Sequence, residues 1–83
     1  MKLTETKLPS LKLGAGETDK IFFDDEVPGF GIRLREGGSR KYVLHYRIGG
    51  NQRRYTIGAV GVLKLEEAQQ RARRILVVRI ALS

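Results

Sequence analysis

The sequence predicts an α+β domain in which a three-stranded antiparallel sheet is packed on one face by a C-terminal helix. Two observations support this fold class. Apolar and polar residues alternate in three successive segments, which is the period of half-buried strands. The last segment instead repeats its apolar residues at helical spacing. The 83 residues are enough for one domain with a small core.

The three strands are predicted over residues 30–35, 40–48 and 51–57, where the alternation is regular. The loop over residues 36–39 joins the first two strands. Gly49-Gly50 joins the second and third, because glycine accepts the positive φ that a two-residue hairpin requires. One parity faces the helix and forms the core, namely Phe30, Ile32, Leu34, Tyr42, Leu44, Tyr46, Tyr55 and Ile57. The central core contact is expected where Ile32, Leu44 and Ile57 lie under Ala72 and Ile75.

The helix is predicted from about residue 65 to 80. Glu66 and Glu67 fall in its first turn, where the helix dipole favours acids. Its apolar stripe consists of Leu65, Ala68, Ala72, Ile75 and Leu76.

The residues before the first strand show a weaker pattern. Residues 1–18 are expected to form an N-terminal arm, in which Pro9 and two glycines exclude a long helix. The apolar run Ile21-Phe22-Phe23 could add a short extra strand at the sheet edge. Residues 24–29 form a turn by composition.

The opposite parity of the sheet is strongly basic. Residues 29–58 hold seven Lys or Arg against one acid, a balance of +6, out of a net charge of +7 for the chain. Such a concentration favours a polyanionic partner. The residues expected on the uncovered face, and thus to contact DNA, are Arg33, Arg35, Lys41, His45, Arg47, Gln52, Arg54 and Thr56. Arginine suits phosphate and guanine, glutamine suits adenine, and the threonine methyl suits thymine.

Other chemistry finds little support in the sequence. The chain has no cysteine, its one histidine cannot build a metal site or a triad alone, and no catalytic constellation or cofactor motif is present. The acids Asp24-Asp25-Glu26 are interpreted as a solvated turn rather than a metal site. The N-terminus lacks the apolar core of a signal peptide, so we expect a cytoplasmic protein with no membrane partner.

Two alternatives to duplex DNA remain open. An RNA-binding module is one, although modules for double-stranded RNA need a substantial first helix that Pro9 disfavours. A basic protein-interaction domain with an acidic partner is the other. Tyr42, Tyr46 and Tyr55 could stack on single-stranded bases, but their spacing assigns them to the core.

The order of several short motifs resembles the N-terminal arm-type DNA-binding domain of phage and genomic-island integrases, which belong to the tyrosine recombinase family. The matching pieces run from about residue 3 to 76: Leu3-Thr4-Glu5-Thr6-Lys7, Gly29-Phe30-Gly31-Ile32-Arg33-Leu34-Arg35, Tyr46-Arg47 with Gly49-Gly50, Arg53-Arg54-Tyr55-Thr56-Ile57-Gly58, and Leu65-Glu66-Glu67-Ala68. Two positions depart from the family pattern. Val60-Gly61 replaces an aromatic-proline pair, and Lys64 replaces a hydroxyl residue at the helix cap, so another group must cap the helix or its start frays.

The resemblance implies a role. Residues 19–83 would be the arm-type DNA-binding domain, a non-catalytic fragment of a longer, bacterial or prophage-encoded integrase. It would hold double-stranded arm sequences of the attachment site, while a catalytic domain further along carries the nucleophilic tyrosine. Other integrase protomers are further expected partners.

Overall fold

The computed structural model describes residues 2–81, and within that range it places a four-stranded antiparallel sheet beside one long helix. A 3₁₀ helix, Leu8–Ser10, precedes β1 (Asp19–Phe23), β2 (Phe30–Arg35), β3 (Arg40–Ile48), β4 (Asn51–Ala59) and α1 (Leu65–Ala81). The strands lie in chain order, β1-β2-β3-β4, so every connection within the sheet is a hairpin. No helix of the described residues is both long and apolar enough to cross a bilayer.

The α+β class, the three main strands and the C-terminal helix are confirmed. The sheet has four strands rather than three, because the run at Ile21 does pair along β2. The Gly49-Gly50 hairpin is also confirmed: φ is +55° at Gly49 and +84° at Gly50, the left-handed values that such a turn needs at both positions.

A glycine is also required at position 29, where the chain enters β2. Gly29 has φ of +78°, and a Cβ atom there would lie 2.0 Å from the carbonyl oxygen of His45. The amide of His45 donates to the carbonyl of Gly29 over 2.8 Å. A side chain at this position would therefore both strain the backbone and break the approach of the two strands.

The register preserves the predicted parity. Ile32 lies opposite Tyr42 across the β2–β3 pair, and Leu44 lies opposite Tyr55 across the β3–β4 pair. The register shifts between Tyr42 and Val43, where β4 carries one extra residue, Ile57. This β-bulge lets β4 continue beyond its predicted end while Ile57 still packs against the core.

The core lies between one face of the sheet and α1, which contacts β3 and β4. Ile32 and Leu44 are fully buried, as are Ala68 and Ala72 on the helix, whereas Ile57 is only partly buried. Tyr55, expected in the core, is 43% exposed, so that expectation was wrong. Tyr42, by contrast, is fully buried, and its hydroxyl donates to the carbonyl of Leu63 over 3.1 Å.

The N-terminal segment belongs to the same core. Leu3, Leu8 and Leu11 are buried, although the sequence pattern assigned no core residue to this part of the chain. The guanidinium of Arg40 holds the segment by donating to the carbonyls of Leu8 and Leu11 over 2.7 and 2.8 Å. The Leu8 carbonyl also accepts from the Leu11 amide over 3.3 Å, so Arg40 gives it a second donor.

Asp24 ties the same segment to the helix. The carboxylate accepts hydrogen bonds from the Leu3 amide at 3.1 Å, the Gln69 side chain at 2.8 Å and the Glu26 amide at 3.3 Å. Burial alone would raise the pKa of Asp24, but these donors outweigh it and hold the pKa below its usual value. The interpretation of this acidic run as a solvated turn was therefore wrong for Asp24, which is 5% exposed.

The helix start is capped from a distance. The amide of Leu65 donates to the carboxylate of Glu5, sixty residues earlier in the chain. Lys64 supplies the first helical carbonyl, which accepts from the Ala68 amide over 3.1 Å. Of the two outcomes left open by the lysine, the structure selects capping by another group.

Candidate nucleic-acid interface

The sheet face opposite α1 carries basic residues of β2, β3 and β4. Register pairs place Arg33 opposite Lys41, His45 opposite Arg54 and Arg47 opposite Gln52. In an antiparallel sheet, side chains directly opposite each other project to the same face about 5 Å apart. We call this surface the basic face. Its predicted members are all on it: Arg33, Arg35, Lys41, His45, Arg47, Gln52, Arg54 and Thr56.

Most of these side chains are accessible. All are exposed except Arg33 and His45, which are half-buried. Val43 also lies on the basic face, opposite Thr56, and is 5% exposed. The long polar side chains therefore stand around a small apolar floor. An anionic ligand could reach the charged ends without any rearrangement of the sheet.

Strand β1 adds residues that the three-stranded prediction did not place here. Asp19 lies opposite Arg35, and Phe23 lies opposite Gly31, on the same face as the arginines. Asp19 therefore adds an acid to a surface whose predicted contact residues are all basic or neutral. The sequence pattern predicted β1 only weakly, because the strand has five residues and residues 24–29 after it have the composition of a turn.

Asp19 forms a bidentate ion pair with Arg33. Nε of Arg33 donates to Oδ1 over 3.0 Å and approaches Oδ2 at 3.1 Å, and Nη2 donates to Oδ2. The hydrogen bond from Arg33 lowers the pKa of Asp19, and the charges of Arg35 and Arg54 act in the same direction. The pair is thus ionised throughout the neutral range.

Phe23 and His45 form the second contact between β1 and the rest of the face. Their rings meet edge to face, with centroids 5.4 Å apart. Phe23 is nevertheless 45% exposed, an unusual position for an aromatic residue on a charged surface. Burial lowers the pKa of His45, and the charges of Arg54 and Arg33 lower it further, so the imidazole is neutral at pH 7.

The other side of the molecule carries a separate set of cations. Arg71 and Arg74 project from α1 and line a shallow hollow with Tyr55, Ile57 and Ile75. Arg71 and Arg74 are exposed. Arg53, on the helix side of β4, is exposed as well. These residues share the charge of the basic face but not its location, which makes them natural controls.

In the described part of the chain, no group of three or more His, Cys, Asp or Glu could hold a metal ion. The buried carboxylate of Asp24 is engaged by backbone and amide donors. What the face offers is a set of hydrogen-bond donors on a rigid sheet.

Comparison with known proteins identifies the family of this chain. No curated protein matches the chain. A protein-family model, described as an Arm DNA-binding domain, matches residues 3–78. That match covers both the sheet and most of the helix, including every residue of the basic face. The chain therefore belongs to the Arm DNA-binding domain family, the arm-type DNA-binding domain of integrases.

Proposed function

We propose that this domain binds arm-type sites of attachment DNA by placing the basic face in the major groove. DNA binding follows from the family. The observation that supports this mode is the convergence of Arg33, Arg35, Arg47 and Arg54 on one uncovered face of three adjacent strands. Arginine donates in pairs to phosphates and to the O6 and N7 acceptors of guanine.

Of the four strands, the three that carry the predicted contact residues have a combined width that suits a duplex groove. Strands in a sheet lie about 4.8 Å apart, so β2, β3 and β4 together span about 10 Å. The major groove is about 12 Å wide and admits a β-ribbon. Gln52 and Thr56 lie on either side of Arg54 along the basic face of β4. They are the proposed readers of adenine and thymine, while Lys41 and His45 contact phosphates.

The alternatives make different demands on the same surface. Double-stranded RNA presents a deep, narrow major groove that side chains cannot read. An acidic protein partner would need no particular base sequence. Competition of duplex DNA against duplex RNA of the same sequence therefore distinguishes DNA binding from RNA binding. Loss of all nucleic-acid binding at low salt would favour the second.

The central experiment is a fluorescence-anisotropy titration of single Arg→Ala variants against a selected duplex and a scrambled one, at several salt concentrations. Truncating an arginine that reads guanine should cost about 1–3 kcal/mol and relax specificity at one position. Truncating a phosphate contact should weaken all sequences alike and reduce the salt slope by about one unit. Arg71→Ala and Arg74→Ala, on the helix, should change little. If the helix variants lose affinity and the basic-face variants do not, the reader is the helix.

We further infer the place of the domain in a larger protein. It acts as the N-terminal, non-catalytic module of a tyrosine recombinase encoded by a bacterium, a prophage or another mobile element. It works in the cytoplasm, and neighbouring protomers meet on the attachment DNA. The reading frame that encodes this domain should continue into a catalytic domain with the Arg, His and Tyr set of that family. Footprinting on attachment DNA should place the domain at arm sites away from the crossover point, and protection confined to the crossover would contradict the proposal.

A further inference from the structure

Asp19 and Arg33 form an ion pair between an acid and an arginine on the basic face. Its carboxylate engages the side of the guanidinium formed by Nε and Nη2. That engagement leaves the end of the fork, Nη1 and the outer hydrogen of Nη2, without a hydrogen bond to any described residue. The end of the fork is the edge that pairs with O6 and N7 of guanine.

The sheet fixes this arrangement through its register. Ile21 lies opposite Arg33, and Asp19 is two residues along β1 from Ile21, which makes Asp19 a diagonal neighbour of Arg33. Both side chains are about two-thirds buried, at 35% and 37% exposed, although they belong to a solvent-facing surface. A long side chain held by a bidentate ion pair loses rotamer freedom before any ligand arrives.

The carboxylate of Asp19 beside Arg33 also disfavours a phosphate as the ligand of this arginine. A carboxylate next to a phosphate is repelled, so this pair makes a poor phosphate clamp. Base edges in the major groove carry no net charge. Arg35 also lies opposite Asp19, but the ion pair is formed with Arg33. Arg54 and Arg47 lie opposite the uncharged side chains of His45 and Gln52.

From this geometry we propose that Asp19 is a positioning residue that presents Arg33 to a guanine, and that this contact sets the specificity of one position in the DNA site. The inference rests on the proposed function and deepens it. Arg33 touches the base. Asp19 acts through Arg33 by fixing the plane of its guanidinium.

The test begins with binding sites selected from a randomised duplex pool by the wild-type domain and by Asp19→Asn. The asparagine keeps the shape of the side chain but removes the charge. The matched control is Glu36→Gln, which removes one acid from the neighbouring β2–β3 hairpin, where the main chain of Glu36 donates to Thr18 over 2.8 Å. Affinities are then measured on the wild-type selected duplex, on the same duplex with 7-deazaguanine at the preferred guanine, and on a scrambled duplex.

Opposite signs are expected on the two kinds of DNA. Asp19→Asn should weaken binding to the selected duplex by about 5- to 150-fold, the range of one bidentate base contact. On the scrambled duplex, Asp19→Asn should strengthen binding, because a negative charge has been removed. Glu36→Gln should strengthen binding to both duplexes for the same reason. The 7-deaza substitution, which deletes N7, should weaken the wild type and have little effect on the variant.

A second variant keeps the test decisive if Asp19→Asn unfolds the sheet, which circular dichroism would detect. Arg33→Lys retains the charge but not the fork, so it should lose the guanine preference while the salt slope stays unchanged. The inference is overturned if Asp19→Asn strengthens selected and scrambled binding alike, or if either variant selects the same guanine. A wild-type domain that binds selected and scrambled duplexes equally would instead overturn the proposed sequence-specific function itself.

Discussion

Replacement of Glu5 by alanine should destabilise the domain through the start of a helix sixty residues away. The Leu65 amide is one of the N–H groups in the first turn of the helix that have no intrahelical partner, and the carboxylate of Glu5 accepts its hydrogen bond. Leu65 is 5% exposed, so water has little access to replace that acceptor. The neighbouring Lys64 has no side-chain acceptor to offer.

The magnitude follows from this geometry. Loss of a helix cap costs about 0.5–2 kcal/mol, and a hydrogen bond to a charged group contributes about 1.5–3 kcal/mol. Glu5 itself is exposed, which places the expected loss in the lower part of that range, at about 1–2 kcal/mol. For a domain of this size the melting temperature should fall by roughly 5–15 °C.

Urea and thermal unfolding followed by circular dichroism measure this loss. Glu5→Gln, which keeps an acceptor oxygen but no charge, should fall between the wild type and Glu5→Ala. Glu66→Ala is the matched control, because Glu66 lies exposed in the first turn and interacts with the helix dipole only. Glu66→Ala should lower the free energy of unfolding by about 0.3–1 kcal/mol. If Glu5→Ala costs no more than Glu66→Ala, the distant cap contributes nothing and the reasoning fails.

Three further predictions follow from the described contacts. Leu44→Ala should lower the free energy of unfolding in urea by about 2–5 kcal/mol, because Leu44 is fully buried. Tyr55→Ala should lower it by under about 1 kcal/mol, because Tyr55 is 43% exposed. Equal losses would mean that the helix covers more of β4 than the structure shows. Burial raises the pKa of Tyr42 to about 12, with the charge of Glu5 acting in the same direction, against 10.0 for an ordinary tyrosine. The neutral phenol thus stabilises the fold fully below pH 10, and roughly 2–3 kcal/mol should be lost as the pH rises from 10 to 12; Tyr42→Phe should flatten that part of the profile. An NMR titration should place the pKa of His45 below 6.5, and Phe23→Ala, which uncovers the imidazole, should move it upward; an unchanged value would show that the ring contact does not shield His45.

The local pattern of the sequence determined the elements and the orientation of the sheet. Alternation at period two is a property of the strand itself, so Ile32 and Arg33 project to opposite faces whatever else the chain does. The Gly49-Gly50 turn fixed the register of β3 against β4. Together these two features placed all eight predicted contact residues on one face before any tertiary contact was known.

Extent of burial could not be determined in the same way. Tyr55 has the parity of a core residue, but it is 43% exposed. It lies in the middle of the edge strand β4, where it lines a shallow hollow with Arg71 and Arg74 of α1. Leu3, Leu8 and Leu11 show no regular period, yet they are buried because Arg40 and Asp24 draw the N-terminal segment onto the core. Whether a side chain is covered depends on where a distant segment lies, and periodicity carries no such information.

The long-range polar contacts were decided by the tertiary structure alone. Glu5 and Leu65 are separated by sixty residues, and Asp19 and Arg33 by fourteen, so neither pair forms a pattern along the chain. Each carboxylate finds its donor because hairpins and packing bring the two together. The sequence by itself therefore determined which residues form the basic face, through the period of the strand. Only the folded sheet decided that Asp19 would join Arg33 on it, because pairing of β1 along β2 is a contact between segments and not a property of either one.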